Sequence, residues 1–294
     1  MIMFLPRRIL EKKLRRLLEE DVGQGDITTF LTIPEGAIVE AEIFVKDAGV
    51  VAGIEEALIF LESFGFQTEA RVADGEEVRL KTSLLKIIGD ARTLLSLERT
   101  LLNLLSRMSG IATITNRIVK RVKEAGYDTR VACTRKVAPG LIYFDKKAVF
   151  VGGGDVHRFH QDDMVLIKDN HIVIVDDVVE AIRKVRGRLS FSKKIEVEVS
   201  SLRDAIKVAK ANVDIIMLDN FSPRLIRKTL KELEKKKLRG KILVEASGGI
   251  NEKNVLEFAA AGVDVLSLGE ITQDARALDI SLEVVNVRKA KRKR

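Results

Sequence analysis

Along residues 7–20 the apolar positions Ile9, Leu10, Leu14, Leu17 and Leu18 fall on one stripe, with Arg, Lys and Glu opposite. This pattern predicts an amphipathic helix. The stripe breaks at Asp21-Val22-Gly23-Gln24-Gly25-Asp26, where two Gly and two Asp favour a turn. Over residues 38–45 apolar and polar residues nearly alternate, as in a half-buried strand, and Asp74-Gly75 separates further strand-like segments that end at Ile88. This first part of the chain is expected to form a small α+β region. Helical spacing returns near Thr93 and runs toward Lys123 through Leu97, Leu101, Leu104, Leu105 and Met108, with Gly110 expected to break it.

Beyond that helix the texture changes. Short β-rich runs at residues 130–133, 164–167, 195–199, 214–218, 241–246 and 264–268 alternate with helical stretches at 175–185, 202–211, 223–237 and 252–261. A further short run at 148–151 would make a seventh strand. The alternation predicts a parallel sheet, and the near-continuous apolar content of the runs predicts strands covered on both faces. The expected architecture is an α/β fold: an incomplete β/α barrel of about seven strands, with a smaller α+β N-terminal domain. An open doubly wound sheet is the alternative.

Composition narrows the classes. With 294 residues, 46% of them hydrophobic, the chain can bury one large core and a smaller second one. Its apolar N-terminal stretch is too short for a signal peptide, and no apolar run reaches membrane-spanning length, so the cytoplasm and no membrane partner are expected. A single cysteine, Cys133, excludes an internal disulfide. The net charge of +8 raises nucleic acid as a partner, yet part of the excess sits in the terminal run from Arg288 to Arg294, read as a solvated tail. Without Trp and with two Tyr, stacking platforms are scarce, so no nucleic-acid function is expected.

The candidate chemistry lies at the ends of the predicted strands. In a β/α barrel the C-terminal strand ends converge on one mouth. Here they carry Thr134-Arg135-Lys136, Lys168-Asp169-Asn170-His171, Glu198, Asp219-Asn220, Ser247-Gly248-Gly249 and Gly269-Glu270. Helix caps and turns account for the small residues, but not for Arg135, Lys136 and Lys168. All three histidines, His157, His160 and His171, fall in one window beside Arg158. A zinc site would need them to converge, and the spacing of the first two matches no strong zinc motif. Ser247-Gly248-Gly249, opening onto a helix expected near Asn251, and Gly269 after the last strand suit a phosphate group. Glu198 and Asp219 could hold Mg²⁺ beside a polyphosphate, or Glu198 could pair with a barrel lysine.

At this point the chain resembles the quinolinate phosphoribosyltransferases. The likeness runs from Glu20-Asp21-Val22-Gly23-Gln24-Gly25-Asp26 through Glu98-Arg99-Thr100, Thr134-Arg135-Lys136, Gly152-Gly153-Gly154 with His157-Arg158, and Lys168-Asp169-Asn170-His171. It continues in Glu196-Val197-Glu198, Leu218-Asp219-Asn220, Ser247-Gly248-Gly249 and Leu278-Asp279-Ile280. The resemblance implies condensation of quinolinate with phosphoribosyl pyrophosphate, giving nicotinate mononucleotide, pyrophosphate and CO₂ on the de novo route to NAD, with Mg²⁺ as cofactor. By similarity Arg135, His157, Arg158 and Lys168 would hold the dicarboxylate. Lys136, Glu198 and Asp219 would be catalytic and contact phosphoribosyl pyrophosphate, Glu198 and Asp219 also meeting Mg²⁺ directly or through water.

Ser247, Gly248, Gly249 and Gly269 would form the 5′-phosphate site. Arg99 would be offered to the site of a neighbouring subunit in a homo-oligomer built from dimers. The implied domains are residues 1–110, rejoined by 271–294, and the barrel 111–270. Where many relatives have a Thr-His pair, this chain has Thr272-Gln273, so a histidine contact to phosphate is expected to be missing. Related nicotinate-specific or molybdenum-associated enzymes share the implied fold, and a phosphate-binding barrel isomerase or decarboxylase is a further alternative.

Overall fold

The computed structural model describes residues 5–288, so the expected basic tail beyond Arg288 lies outside the described residues. In chain order the elements begin with α1 (Arg7–Val22), α2 (Ile27–Thr32), β1 (Ile38–Val45), β2 (Gly49–Val50), α3 (Ile54–Glu62), β3 (Gln67–Ala70), β4 (Glu77–Val78), β5 (Ser83–Asp90) and α4 (Ala91–Glu124). Then come β6 (Arg130–Cys133), α5 (Ile142–Val151), β7 (Val165–Ile167), α6 (Asp169–Val175), α7 (Val178–Arg186), β8 (Ile195–Val199), α8 (Leu202–Lys210) and β9 (Ile215–Asp219). The remainder is α9 (Pro223–Lys235), β10 (Leu243–Ser247), α10 (Val255–Ala259), β11 (Val265–Leu268), α11 (Glu270–Gln273) and β12 (Ile280–Arg288). Two compact units result: residues 1–114 with 275–294, and residues 115–274.

The first unit is built on an antiparallel sheet in the order β12-β1-β5-β3. Along β1, Val39, Ala41, Ile43 and Val45 are buried while the residues between them are less so, which is the period of two that the sequence shows. The region read as a turn after residue 20 ends α1 at Gly23 (φ 57°) and then starts α2, whose cap is Asp26 accepting from the Thr29 amide at 2.9 Å. Gly110 does not break the long helix, which continues to Glu124. A Cβ at Gly110 would lie 2.2 Å from the carbonyl oxygen of Arg276, so glycine is there to let the returning chain pass.

The second unit holds a six-stranded parallel sheet in the order β6-β11-β10-β9-β8-β7. Read cyclically this is simple sequential order, with the first strand beside the last, as in a β/α barrel. A doubly wound sheet would instead reverse direction at a switch point. The ring is not closed by strand pairing between β6 and β7. The free edge of β6 is met instead by a single parallel bridge between Ala132 and Asp155.

The seventh strand expected near residue 148 is absent, because that run is the end of α5. Residues 143–149 of this helix are all buried, so it shows no polar face and no helical period to read. One helix expected over 175–185 is two: Asp176 takes a left-handed φ of 68°, and Asp177 caps α7 through the amides of Val179 and Glu180 at 2.7 and 2.9 Å. The helix expected from residue 252 begins only at Val255.

Candidate active site

A cavity of about 500 Å³ opens at the C-terminal ends of the parallel strands. Its lining follows the period of two along each strand, since residues two apart point to the same face. Leu166 and Lys168, Met217 and Asp219, Glu245 and Ser247, and Ser267 and Gly269 all line it in pairs, together with Glu198. Strand register sets these side by side: Glu198 opposite Met217, Ser247 opposite both Asp219 and Ser267. The turn after β6 adds Thr134, Arg135 and Lys136; the turn after α5 adds His157 and Arg158.

The structure therefore brings together Arg135, Lys136, His157, Arg158, Lys168, Glu198, Asp219, Ser247, Gly248, Gly249 and Gly269. Arg99 is exposed on α4 and is not among the residues that line the cavity. The three histidines do not converge. His160 is exposed, and His171 accepts the Lys168 amide at 3.0 Å through Nδ1, at the start of α6.

Both carboxylates have a defined neighbour. Lys168 Nζ donates to Glu198 Oε2 at 2.8 Å, which is the lysine pairing weighed from sequence. Asn220 Nδ2 donates to Asp219 Oδ2 at 2.7 Å, while the Asn220 amide donates to the Ser247 carbonyl at 2.8 Å. Asn220 itself is left-handed, with φ 56°. Gly248 and Gly249 have φ of 94° and 66°, so the phosphate-type loop is a left-handed turn and not a helix end. Arg158 is pushed below its usual pKa by burial and then by the neighbouring Arg135 cation, against the opposing pull of Glu196 and Asp163. Gln273 lies at the rim: a Cβ added at Gly269 would come 2.9 Å from its Oε1 and 3.4 Å from Lys136 Cδ. Thr272 Oγ1 donates to the Lys136 carbonyl at 2.8 Å.

Below the cations sits a cluster that sequence reasoning missed. His157 Nε2 lies 3.1 Å from Glu245 Oε2 and 3.5 Å from Glu196 Oε2, and both glutamates are buried, 1% and 0% exposed. Burial lowers the imidazole pKa, but the two carboxylates outweigh it and raise the value from 6.5 to about 10. The Arg158 amide, donating to His157 Nδ1 at 2.7 Å, works against a proton there, because it needs that lone pair. Nε2 is therefore the nitrogen whose proton faces the two carboxylates. Burial raises the Glu196 carboxyl above its usual range. The signal for these glutamates was available: each lies two residues before a cavity residue, Glu198 or Ser247, on the same strand face.

Residues 26–109 match the family model "Quinolinate phosphoribosyl transferase, N-terminal domain", and residues 111–283 match the corresponding C-terminal domain. The chain is 49% identical over 276 residues to a probable nicotinate-nucleotide pyrophosphorylase [carboxylating] of Methanocaldococcus jannaschii, covering 93% of this chain and 96% of that protein. It is 46% identical over 271 residues to the protein of the same name from Methanothermobacter thermautotrophicus, covering 92% of this chain and 97% of the relative. The crystal structure of NadC from Streptococcus pyogenes superposes with a TM-score of 0.88 at 34% identity, covering 99% of this chain and all of that one.

Proposed function

The chain belongs to the quinolinate phosphoribosyltransferase family, and from that premise we propose that it converts quinolinate and phosphoribosyl pyrophosphate to nicotinate mononucleotide, pyrophosphate and CO₂ for NAD biosynthesis. The observation that carries this reading is one cavity lined by four cationic side chains, two carboxylates at adjacent strand ends and a left-handed glycine turn. Quinolinate is a dianion. Arg135 and Arg158 offer forked donors that match carboxylates, Lys168 a point charge, and His157 a ring held in place from beneath.

Ser247, Gly248, Gly249 and Gly269 receive the 5′-phosphate, with Gln273 available to donate where many relatives carry histidine. Lys136, at the same rim, meets the pyrophosphate or the sugar carbon under attack. Glu198 and Asp219 engage the ribose hydroxyls. The donor set also fits Mg²⁺: two hard carboxylates on adjacent strands line the cavity and leave most of an octahedron to water and diphosphate oxygens. When bound there, Mg²⁺ would neutralise charge on the leaving diphosphate.

The chain's own residues do the rest. As the bond from C1 to the diphosphate oxygen breaks, the pyridine nitrogen forms its bond to C1, and the carboxylates of the site stabilise the oxocarbenium character of the sugar. The bond between C2 and its carboxylate then breaks. The electron pair left at C2 is stabilised by the adjacent quaternised nitrogen until it takes a proton, and the cationic wall keeps the remaining carboxylate in place.

The same reading makes the active protein an oligomer, with Arg99 supplied across an interface. What supports this is apolar surface that a second copy would cover: Ile27, Phe30 and Leu31 on α2, and Val173 and Ile174 on α6, are each more than two-thirds exposed. Among the described residues no helix is long and apolar enough to cross a membrane.

The test is direct. The protein is incubated with Mg²⁺, phosphoribosyl pyrophosphate and either quinolinate or nicotinate, and CO₂ and nicotinate mononucleotide are measured. Equimolar CO₂ and mononucleotide from quinolinate are expected; mononucleotide from nicotinate alone, with no CO₂ from quinolinate, overturns the proposal.

A further inference from the structure

Lys146, on α5, is fully buried, and it does not line the cavity. Its ammonium donates to the carbonyl of Val156 at 2.5 Å, to the carbonyl of Arg158 at 2.8 Å, and to Cys133 Sγ at 3.6 Å. Three acceptors match the three hydrogens of a protonated lysine. The two carbonyls bracket His157, a residue held in the left-handed region at φ 51°. The same turn is tied from its other side: Asp155 Oδ1 accepts the His157 amide at 2.8 Å, and the Phe159 ring lies 5.5 Å from the lysine nitrogen. Lys146 thus fixes the backbone from which His157 and Arg158 enter the cavity.

The electrostatics of this clamp are unusual. Its hydrogen-bond partners are two neutral carbonyls and a thiol that burial pushes above its usual pKa, away from the thiolate. Burial pushes the lysine pKa down, Cys133 and Asp155 push it back up, and Arg135 opposes them. Asp155, which offsets part of the lysine's charge, also accepts the His157 amide, so both ends of this charge pair hold the same turn. An apolar side chain in place of Lys146 would take a donor from two carbonyls of that turn.

We propose that Lys146 is a positioning residue for the dicarboxylate: it fixes the turn from which His157 and Arg158 enter the cavity. This rests on the functional reading above, and it makes a distinct demand. Removing the clamp should weaken binding of the acid and spare the phosphoribosyl donor.

The experiment compares the full-length wild type with Lys146→Met and Lys146→Arg. Thermal midpoints are measured with and without saturating quinolinate, together with Kd for quinolinate and KM for both substrates. In Lys146→Met the substrate-free midpoint should fall by about a few degrees, because two carbonyls of the turn lose a donor. Its quinolinate-induced rise should fall by at least about half, with Kd for quinolinate up about tenfold or more and KM for phosphoribosyl pyrophosphate within about threefold. Lys146→Arg, which keeps the charge, should recover part of the quinolinate affinity.

An unchanged Kd in Lys146→Met overturns the proposal. So does a variant that fails to fold, or one that loses both substrates equally, since either makes the lysine a structural residue. A wild type that neither binds quinolinate nor turns it over fails the functional reading itself, and that outcome is read before any variant is made.

Discussion

Lys168, directly after β7, and Glu198, on the adjacent β8, are joined at 2.8 Å in the lining of the cavity, so a cation proposed for the dicarboxylate neutralises a carboxylate proposed for the ribose. Binding of the two substrates would separate them, each then finding a partner of its own.

The two ends of this pair should separate kinetically. Lys168→Ala is expected to raise KM for quinolinate about 10- to 100-fold, the loss of a charged hydrogen bond worth about 1.5–3 kcal/mol. Glu198→Gln is expected to lower kcat about tenfold or more while leaving KM for quinolinate within about threefold. Steady-state kinetics with each substrate varied in turn checks both. A quinolinate KM raised equally by the two variants would show that the pair acts only as a structural tie.

Metal dependence should run through Asp219. Chelation with EDTA is expected to abolish turnover and added Mg²⁺ to restore it. In Asp219→Asn the Mg²⁺ concentration for half-maximal rate should rise by about tenfold or more, because a neutral amide is a poorer ligand for a hard cation. An Mg²⁺ titration of initial rates reads this out, and an unshifted midpoint would remove Asp219 from the metal's surroundings.

Gly248 cannot take a side chain. A Cβ there would lie 2.2 Å from Asn220 Oδ1 and 2.9 Å from the Asn220 backbone nitrogen, at a φ of 94°. Gly248→Ala is expected to cost about 1–3 kcal/mol of stability and to raise KM for phosphoribosyl pyrophosphate more than that for quinolinate. Urea unfolding and steady-state kinetics check the two parts.

Acid should loosen the turn that follows Arg158. Asp163 accepts the His160 and Phe159 amides at 2.9 and 2.6 Å, and the His160 contact, the larger influence, holds its pKa below 3.8. A carboxylate depressed in the folded state stabilises above its unfolded pKa, and that stabilisation is lost as the pH falls through the folded value. Unfolding free energy should therefore drop below about pH 4, and Asp163→Asn should flatten part of that drop. Urea midpoints from pH 3 to 7, on the order of five points, suffice to read the slope.

Sequence and structure agree most closely where a periodicity was one-sided. β1, with one face buried, and β6 and β8, as short apolar runs bounded by polar ends, coincide with the runs read from the chain. Periodicity carried no information where an element is covered all round. α5 buries Asp145, Lys146 and Lys147 along with its apolar residues, so its last turn reads as a strand and its polar residues read as surface. Gly110 misled for a different reason: composition records that a residue lacks a side chain, but not whether a turn or a passing chain requires it.

The site was legible at its strand ends, where Arg135, Lys168, Glu198 and Asp219 stand out as charges after apolar runs. One step deeper it was not. Glu196 and Glu245 look like the polar half of an alternating strand; their spacing from Glu198 and Ser247 marks the face they share, but not that this face is buried. The link from Lys146 to residues 156 and 158 spans a helix end and three glycines, and no spacing rule connects them.

The unpaired seam between β6 and β7 gives the fold a replaceable part. Because no strand closes the ring there, the segment around Asp155 lies along the edge of β6 through a single bridge, and His157 and Arg158 reach the mouth from connecting chain. That segment can change length or sequence without shifting the register of any strand, while the phosphate turn and both carboxylates stay fixed to β8, β9 and β10. Selectivity for the acid is thereby separable from handling of the sugar donor, and a lineage could exchange the first while inheriting the second intact.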